Sequence, residues 1–136
     1  MEKDNIVEIP IPPGVPQSVI FRVMETCGVD YQIKKDPILD KEYPVLSGYP
    51  EQIENAKRYL KLFTEVKLAL RDIALLGRRY KTMAKIYTED EELRYILSIA
   101  SQDIANRDWI EVCEEKPTDG ECETLEICGK KVYIYV

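Results

Sequence analysis

Residues 50–76 read PEQIENAKRYLKLFTEVKLALRDIALL, the strongest single element in the chain. Ile53, Ala56, Leu60, Phe63, Val66, Leu70, Ile73 and Ala74 recur at steps of three and four, which builds a helix with one apolar face. Pro50 suits a first helical turn, where its missing N–H is not needed, and Glu51 and Gln52 suit the positive end of the helix dipole. At ~1.5 Å per residue this is a rod of roughly 40 Å. A stripe that long outreaches one small sheet, so its far half must be buried against the C-terminal region or a second copy, which points to a homodimer.

Upstream, Ile6 to Ile11 reads as a strand that Pro10 places at an edge or an end. The prolines at 12, 13 and 16 hold the next segment irregular. Val19, Ile20, Val23, Met24 and Cys27 then space as a helix, with Gly28 where a left-handed cap is wanted. Val29 to Ile33 and Tyr43 to Ser47 read as strands.

Downstream, Gly77 marks a bend, and Arg78 to Tyr87 is expected to continue as helix with Tyr80, Met83, Ala84 and Tyr87 on one side. Thr88 and Glu91 match a capping box that opens a further helix, its apolar face formed by Leu93, Ile96, Leu97, Ala100 and Ile104. Trp109–Glu114, Cys122–Ile127 and Lys131–Val136 alternate and are separated by turn chemistry at Pro117-Thr118-Asp119-Gly120 and Cys128-Gly129-Lys130. They predict a three-stranded antiparallel meander with Ile110, Val112, Leu125, Ile127, Val132, Ile134 and Val136 toward the core. The expected fold is therefore α+β: a β-α-β-β-α unit over residues 1–76, then a helix and a meander over 77–136, packed as one compact domain.

The chain has 136 residues, 45% of them hydrophobic and 32% charged, which fits one folded domain rather than a disordered or membrane-spanning chain. The residues Met1-Glu2-Lys3-Asp4-Asn5 carry no basic start followed by an apolar stretch, so a cytoplasmic location is expected. Histidine is absent, which removes Ser-His-Asp and Cys-His chemistry and His-based metal sites. The six glycines are isolated, so neither a G-x-x-x-x-G-K-[ST] nor a G-x-G-x-x-G phosphate loop can be written. Glu89-Asp90-Glu91-Glu92 point about 100° apart on a helix and serve its dipole rather than one cation. No enzyme, metal or cofactor is expected.

The four cysteines, Cys27, Cys113, Cys122 and Cys128, form no C-x-x-C pair. Abundant Lys, Glu, Ile and Tyr with scarce Gln is a thermophile-like bias, and intracellular proteins of hyperthermophiles can carry disulfides. The default reading is nonetheless small buried hydrophobes in a reducing compartment, and a bridge among Cys113, Cys122 and Cys128 is the alternative, with all three on the sheet face opposite the aliphatic residues. Tyr133 and Tyr135 fall on that same face, either free for a partner or covered by a second helix.

One part of the text resembles a known family. Thr26 to Gly28 as a helix cap, Val29 to Ile33 as an amphipathic strand, Val45 to Gly48 as a strand closing in Ser-Gly, and Pro50 to Lys57 opening a helix are similar to the second half of a KH domain. The strand Val7 to Ile11 resembles that family's first strand. The resemblance implies nucleic-acid binding, although the place of the family's G-x-x-G loop is held by Gly14-Val15-Pro16-Gln17 with no second glycine.

The net charge of −6 conceals a segregation: residues 1–56 net −5, residues 57–85 net +7, and residues 86–136 net −8. Lys57, Arg58, Lys61, Lys67, Arg71, Arg78, Arg79, Lys81 and Lys85 supply the basic segment. Two readings follow: the cations lie against acidic neighbours of the same chain, or they present a positive face to RNA, DNA or an acidic protein. The function expected first is a non-enzymatic nucleic-acid-binding module using the basic helix face, with Arg78, Arg79 and Lys81 as preferred contacts. The alternative is an assembly subunit that pairs with itself or with another protein.

Overall fold

In the computed structural model, which describes residues 5–118 and 120–136, the chain is α+β and forms two compact units, Met1–Lys61 and Leu62–Val136. The expected tetrapeptide turn at 117–120 includes Asp119, which lies outside the described residues, as do Met1 to Asp4.

The first unit runs β1 (Val7–Pro10), α1 (Gln17–Cys27), β2 (Asp30–Asp36), β3 (Lys41–Gly48) and the opening of α2 (Pro50–Tyr80). Its sheet has the order β1-β3-β2, antiparallel throughout, so Pro10 sits on an edge strand, where a missing N–H costs no ladder bond. α1 begins at Pro16, whose carbonyl accepts from Val19 and Ile20, and buries Val19, Ile20 and Val23. It ends at Gly28, where φ of 71° needs no Cβ, with the Gly28 N–H on the Met24 carbonyl. Gln52 fastens the entry to α2: its Oε1 accepts from the Tyr49 N–H at 2.9 Å while the side chain lies against Gly28 and Gly48. Leu46, Ile53 and Ala56 are buried.

The second unit contains the rest of α2, β4 (Ala84–Tyr87), α3 (Glu91–Ser101), a 3-10 turn (Arg107–Trp109), β5 (Ile110–Val112), β6 (Cys122–Ile127) and β7 (Lys130–Tyr135). α2 runs through Gly77 and stops only at Tyr80. Lys81 takes φ of 57°, Thr82 N–H reaches back to the Gly77 carbonyl at 2.9 Å, and Lys81 N–H reaches Arg78, which together make a Schellman termination. The expected helical continuation to Tyr87 is thus replaced by β4. There Ala84 and Ile86 are buried while Lys85 is exposed, a period of two that four residues can satisfy as readily as a helical one.

The three-stranded meander is also corrected, to a four-stranded mixed sheet of order β5-β4-β7-β6. β5 leaves the meander because α3 carries the chain from β4 back alongside it, and this crossover makes β4 and β5 parallel. Register puts Ile110, Val112, Ile86, Ile134, Val132, Leu125 and Ile127 on one face, as the alternation predicts. Val136 follows β7 and is exposed. Leu93, Ile96, Leu97 and Ala100 of α3 are wholly buried, as are Val66 and Ala74 of α2, so these helices cover the aliphatic face.

The cap of α3 differs from expectation by two residues. Asp90, not Thr88, accepts from the Leu93 N–H, at 2.8 Å. Thr88 is buried and bridges backbone groups: its hydroxyl donates to the Lys131 carbonyl at 2.9 Å and accepts from the Asp90 N–H at 3.2 Å.

Candidate functional site

The helix α2 and the turn after it hold most of the basic segment, and the structure divides those cations into committed and uncommitted groups. Lys57 contacts Glu54 at 3.3 Å, and Arg58 donates to the Asn55 side chain. Lys67 reaches Asp103 at 3.4 Å, Arg78 donates to Asn106 at 3.2 Å, and Lys81 lies 5.8 Å from the centre of the Trp109 ring. Lys61, Arg71, Arg79 and Lys85 have no charged partner among the described residues. Lys85 lies in β4 and alternates with the buried Ala84 and Ile86, so it projects from the sheet face turned away from α2. Of the preferred contacts, only Arg79 is therefore uncommitted.

At 100° per residue, Leu68, Arg71, Leu75 and Arg79 share the outward face of α2, opposite the buried Val66, Leu70 and Ala74. Leu68 is 48% exposed and Leu75 42% exposed. Sequence reasoning assigned the charges but passed over these two leucines. Their signal was a seven-residue spacing off the main apolar stripe, legible only once Val66, Leu70 and Ala74 had taken the inward side. Glu65 and Asp72 run along one margin of this face. Beside it, a cleft of about 300 Å³ is lined by Ile73, Leu76, Gly77, Ala84, Ile134 and Val136, with the Glu123 side chain also in its wall.

A second cleft, of about 330 Å³, is polar and includes Thr88, Asp90, Lys130 and Tyr133. Here Lys130 contacts Asp90 at 2.6 Å. The hydrogen bond from Lys130, then the one from the Leu93 N–H, hold the Asp90 carboxyl below its ordinary range. A carboxyl depressed in the folded state stabilises fully above its unfolded value, near 4, and that contribution is lost as pH falls through the folded value. Asp90→Asn keeps a competent cap but has no charge to lose. Its melting temperature should therefore fall less than that of the unaltered protein between pH 5 and 2. The difference should correspond to ~0.5 kcal/mol, because the pair is about one-third exposed and screened. Parallel pH–melting curves would expose the contrary result, two identical slopes.

All four cysteines are free, and the alternative of a bridge among Cys113, Cys122 and Cys128 is not what the structure holds. Cys113 follows β5 and Cys122 opens β6, the two opposite edges of the sheet, so three strand spacings of ~4.8 Å separate them, about 14 Å. Cys122 and Cys128 stand at opposite ends of β6, at ~3.3 Å per residue about 20 Å apart, and a bridge needs Cα atoms within about 7 Å. The facing expectation holds for Cys122, which is paired with Tyr135 opposite the aliphatics, but Cys128 sits in the β6–β7 turn with φ of 50°. Burial, then the nearby Glu111 carboxylate, push the Cys113 thiol up, which disfavours its nucleophilic form.

Tyr133 and Tyr135 do lie on the face away from the helices, beside Lys85 and Tyr87. Tyr135 is buried, and Tyr133 stacks on Tyr87 at 6.5 Å between ring centres. Arg94 stands 5.7 Å from the Tyr87 ring and donates to the Thr88 carbonyl. Tyr87 and Tyr133 thus stack on one another, and Tyr133 also lines the polar cleft. Among the described residues, no three Cys, Asp or Glu side chains gather to hold a metal, and no helix is long and apolar enough to cross a membrane.

The family described as "Uncharacterized protein MJ0093 family" matches residues 6–134, which includes both units. The chain belongs to this family. It is 57% identical over 127 residues to the protein described as "Uncharacterized protein MJ0093" from Methanocaldococcus jannaschii, covering 93% of this chain and 89% of that one. The shared length takes in α2 and the elements after it, so the family relation is to the two-unit chain rather than to one unit alone. No solved structure matches significantly.

Proposed function

We propose that this protein is a binding module rather than an enzyme, and that the outward face of α2 receives an acidic amphipathic helix of a partner protein. The observation that carries the reading is the alternation of uncommitted cations with exposed leucines, Leu68-Arg71-Leu75-Arg79, along that face. A surface built only for phosphate has no use for the leucines, whereas a helix with acidic flanks and an apolar stripe uses both. Burying the exposed halves of these two leucine side chains is worth ~1.5–3 kcal/mol, enough to set specificity.

The uncommitted state of Lys61, Arg71 and Arg79 favours a second reading, binding of RNA or DNA, which the KH resemblance also supports. One experiment separates the two. Leu68→Ser/Leu75→Ser and Arg71→Glu/Arg79→Glu variants would be titrated with an acidic leucine-bearing helical peptide and with single- and double-stranded oligonucleotides at two salt concentrations. The peptide should lose about tenfold or more in affinity with either variant. Oligonucleotide binding that falls steeply with salt, requires the arginines and ignores the leucines would establish the nucleic-acid reading in its place.

A further inference from the structure

The strand β2 is an open edge seven residues long, and its backbone polarity can be read from one hydrogen bond. Ile11 N–H donates to the Pro44 carbonyl at 3.1 Å, so residue 44, and by alternation 46 and 48, turn their backbone groups toward β1. Residues 43, 45 and 47 then serve β2 through their partners Lys34, Gln32 and Asp30. The N–H and C=O groups of Tyr31, Ile33 and Lys35 point outward and meet no backbone partner among the described residues. The side chains of Tyr31 and Ile33 are 38% and 50% exposed. An edge of this kind is a template for another strand.

We propose that the occupant is β2 of a second copy, paired antiparallel about a two-fold axis at Gln32, so that two three-stranded sheets become one of six strands. The strand's own sequence selects this partner and register. Outward groups meet outward groups only when odd residues face odd residues. With Gln32 opposite Gln32, Tyr31 of each copy faces Ile33 of the other, and Asp30 of each faces Lys34 of the other. Shifting the axis to Ile33 sets Asp30 against Asp36 and Tyr31 against Lys35. Shifting it to Lys34 sets that lysine against itself. Only the Gln32 register joins the apolar pairs and opposes unlike charges on both sides. Asp30 has no charged partner among the described residues. Lys34 already touches Glu8 at 2.9 Å and would be held between two carboxylates. The other edge, β1, offers four residues ending in Pro10 and is a poor template.

The register predicts a cross-link. In a chain with its four cysteines replaced by serine, Gln32→Cys places two thiols at a non-hydrogen-bonded pair, Cα atoms ~4.5 Å apart, within reach of a disulfide. Oxidation should convert most chains to covalent dimer, whereas Lys34→Cys in the same background should cross-link at least tenfold more slowly. Asp30→Lys and Lys34→Asp should each sediment as monomer, and a mixture of the two should recover a heterodimer, because both charge pairs are then restored. Ile33→Pro removes an N–H that the single chain does not use, so circular dichroism should be unchanged while the dimer is lost. A wild-type chain that is strictly monomeric at high micromolar concentration would overturn the proposal. So would a dimer indifferent to these substitutions, or equal cross-linking at positions 32 and 34. None of the variants touches α2, so this outcome is independent of the partner-binding reading.

Discussion

Gly77→Val should lower stability by ~3 kcal/mol or more, and Gly77→Ala by about 2, although glycine in a helix interior is ordinarily worth ~1 kcal/mol less than alanine. The sign reverses because of what surrounds the position. A Cβ on Gly77 would stand 2.8 Å from the Thr82 carbonyl oxygen, 3.1 Å from the Trp109 carbonyl oxygen and 3.1 Å from the Trp109 Cβ. Two of those atoms are backbone, and Thr82 is itself tied to Gly77 by the bond that ends α2. Relief therefore requires moving the helix stop or the start of β5, not turning a flexible side chain. The smaller step to alanine already meets the clash, and the branched valine adds χ1 restriction. Chemical denaturation of both variants against the unaltered protein measures the effect. A Gly77→Ala protein as stable as the original would show that the approach of α2 to Trp109 is not required.

Thr88→Val should cost ~2–3 kcal/mol, a drop in melting temperature of roughly 6–15 °C for a chain of this size. The substitution preserves shape and removes only the hydroxyl. That hydroxyl is the shared partner of the Lys131 carbonyl and the Asp90 N–H, and the side chain is wholly buried, so neither orphaned group can turn to water. The Asp90 group is also the N-cap of α3, so a loosened Thr88 disturbs the residue that holds Leu93 and Lys130. Thr88→Ser is the control: it keeps both hydrogen bonds, loses one methyl and should cost about 1 kcal/mol. If Thr88→Val melts with the unaltered protein, the hydroxyl bridge contributes nothing.

Several elements could be read from neighbouring residues alone, because their determinants lie within one or two turns. The inward stripe of α2, the apolar face of α3, the glycine cap at Gly28, the edge position of Pro10 and the aliphatic face of the last strands are of this kind. Other features depended on which distant segment arrived. Ala84-Lys85-Ile86-Tyr87 fits a helix or a strand over so short a span, and became a strand because β7 and β5 lie on either side of it. Gly77 looked like a breaker, yet it serves a close approach by Trp109, while the actual stop falls on Lys81. Thr88 carried a capping pattern, but burial against Lys131 took its hydroxyl and left the cap to Asp90.

The candidate site shows the same division. The sequence by itself determined that α2 is long, amphipathic and basic, since period and charge are properties of consecutive residues. Only the tertiary structure decided that Lys67, Arg78 and Lys81 are committed to Asp103, Asn106 and Trp109, that Lys85 faces elsewhere, and that Leu68 and Leu75 remain in water. Parity in β6 placed Cys122 correctly, yet strand order put Cys113 at the far edge. Side-chain direction follows from the local backbone, whereas distance and burial are set by the strands and helices that close around it.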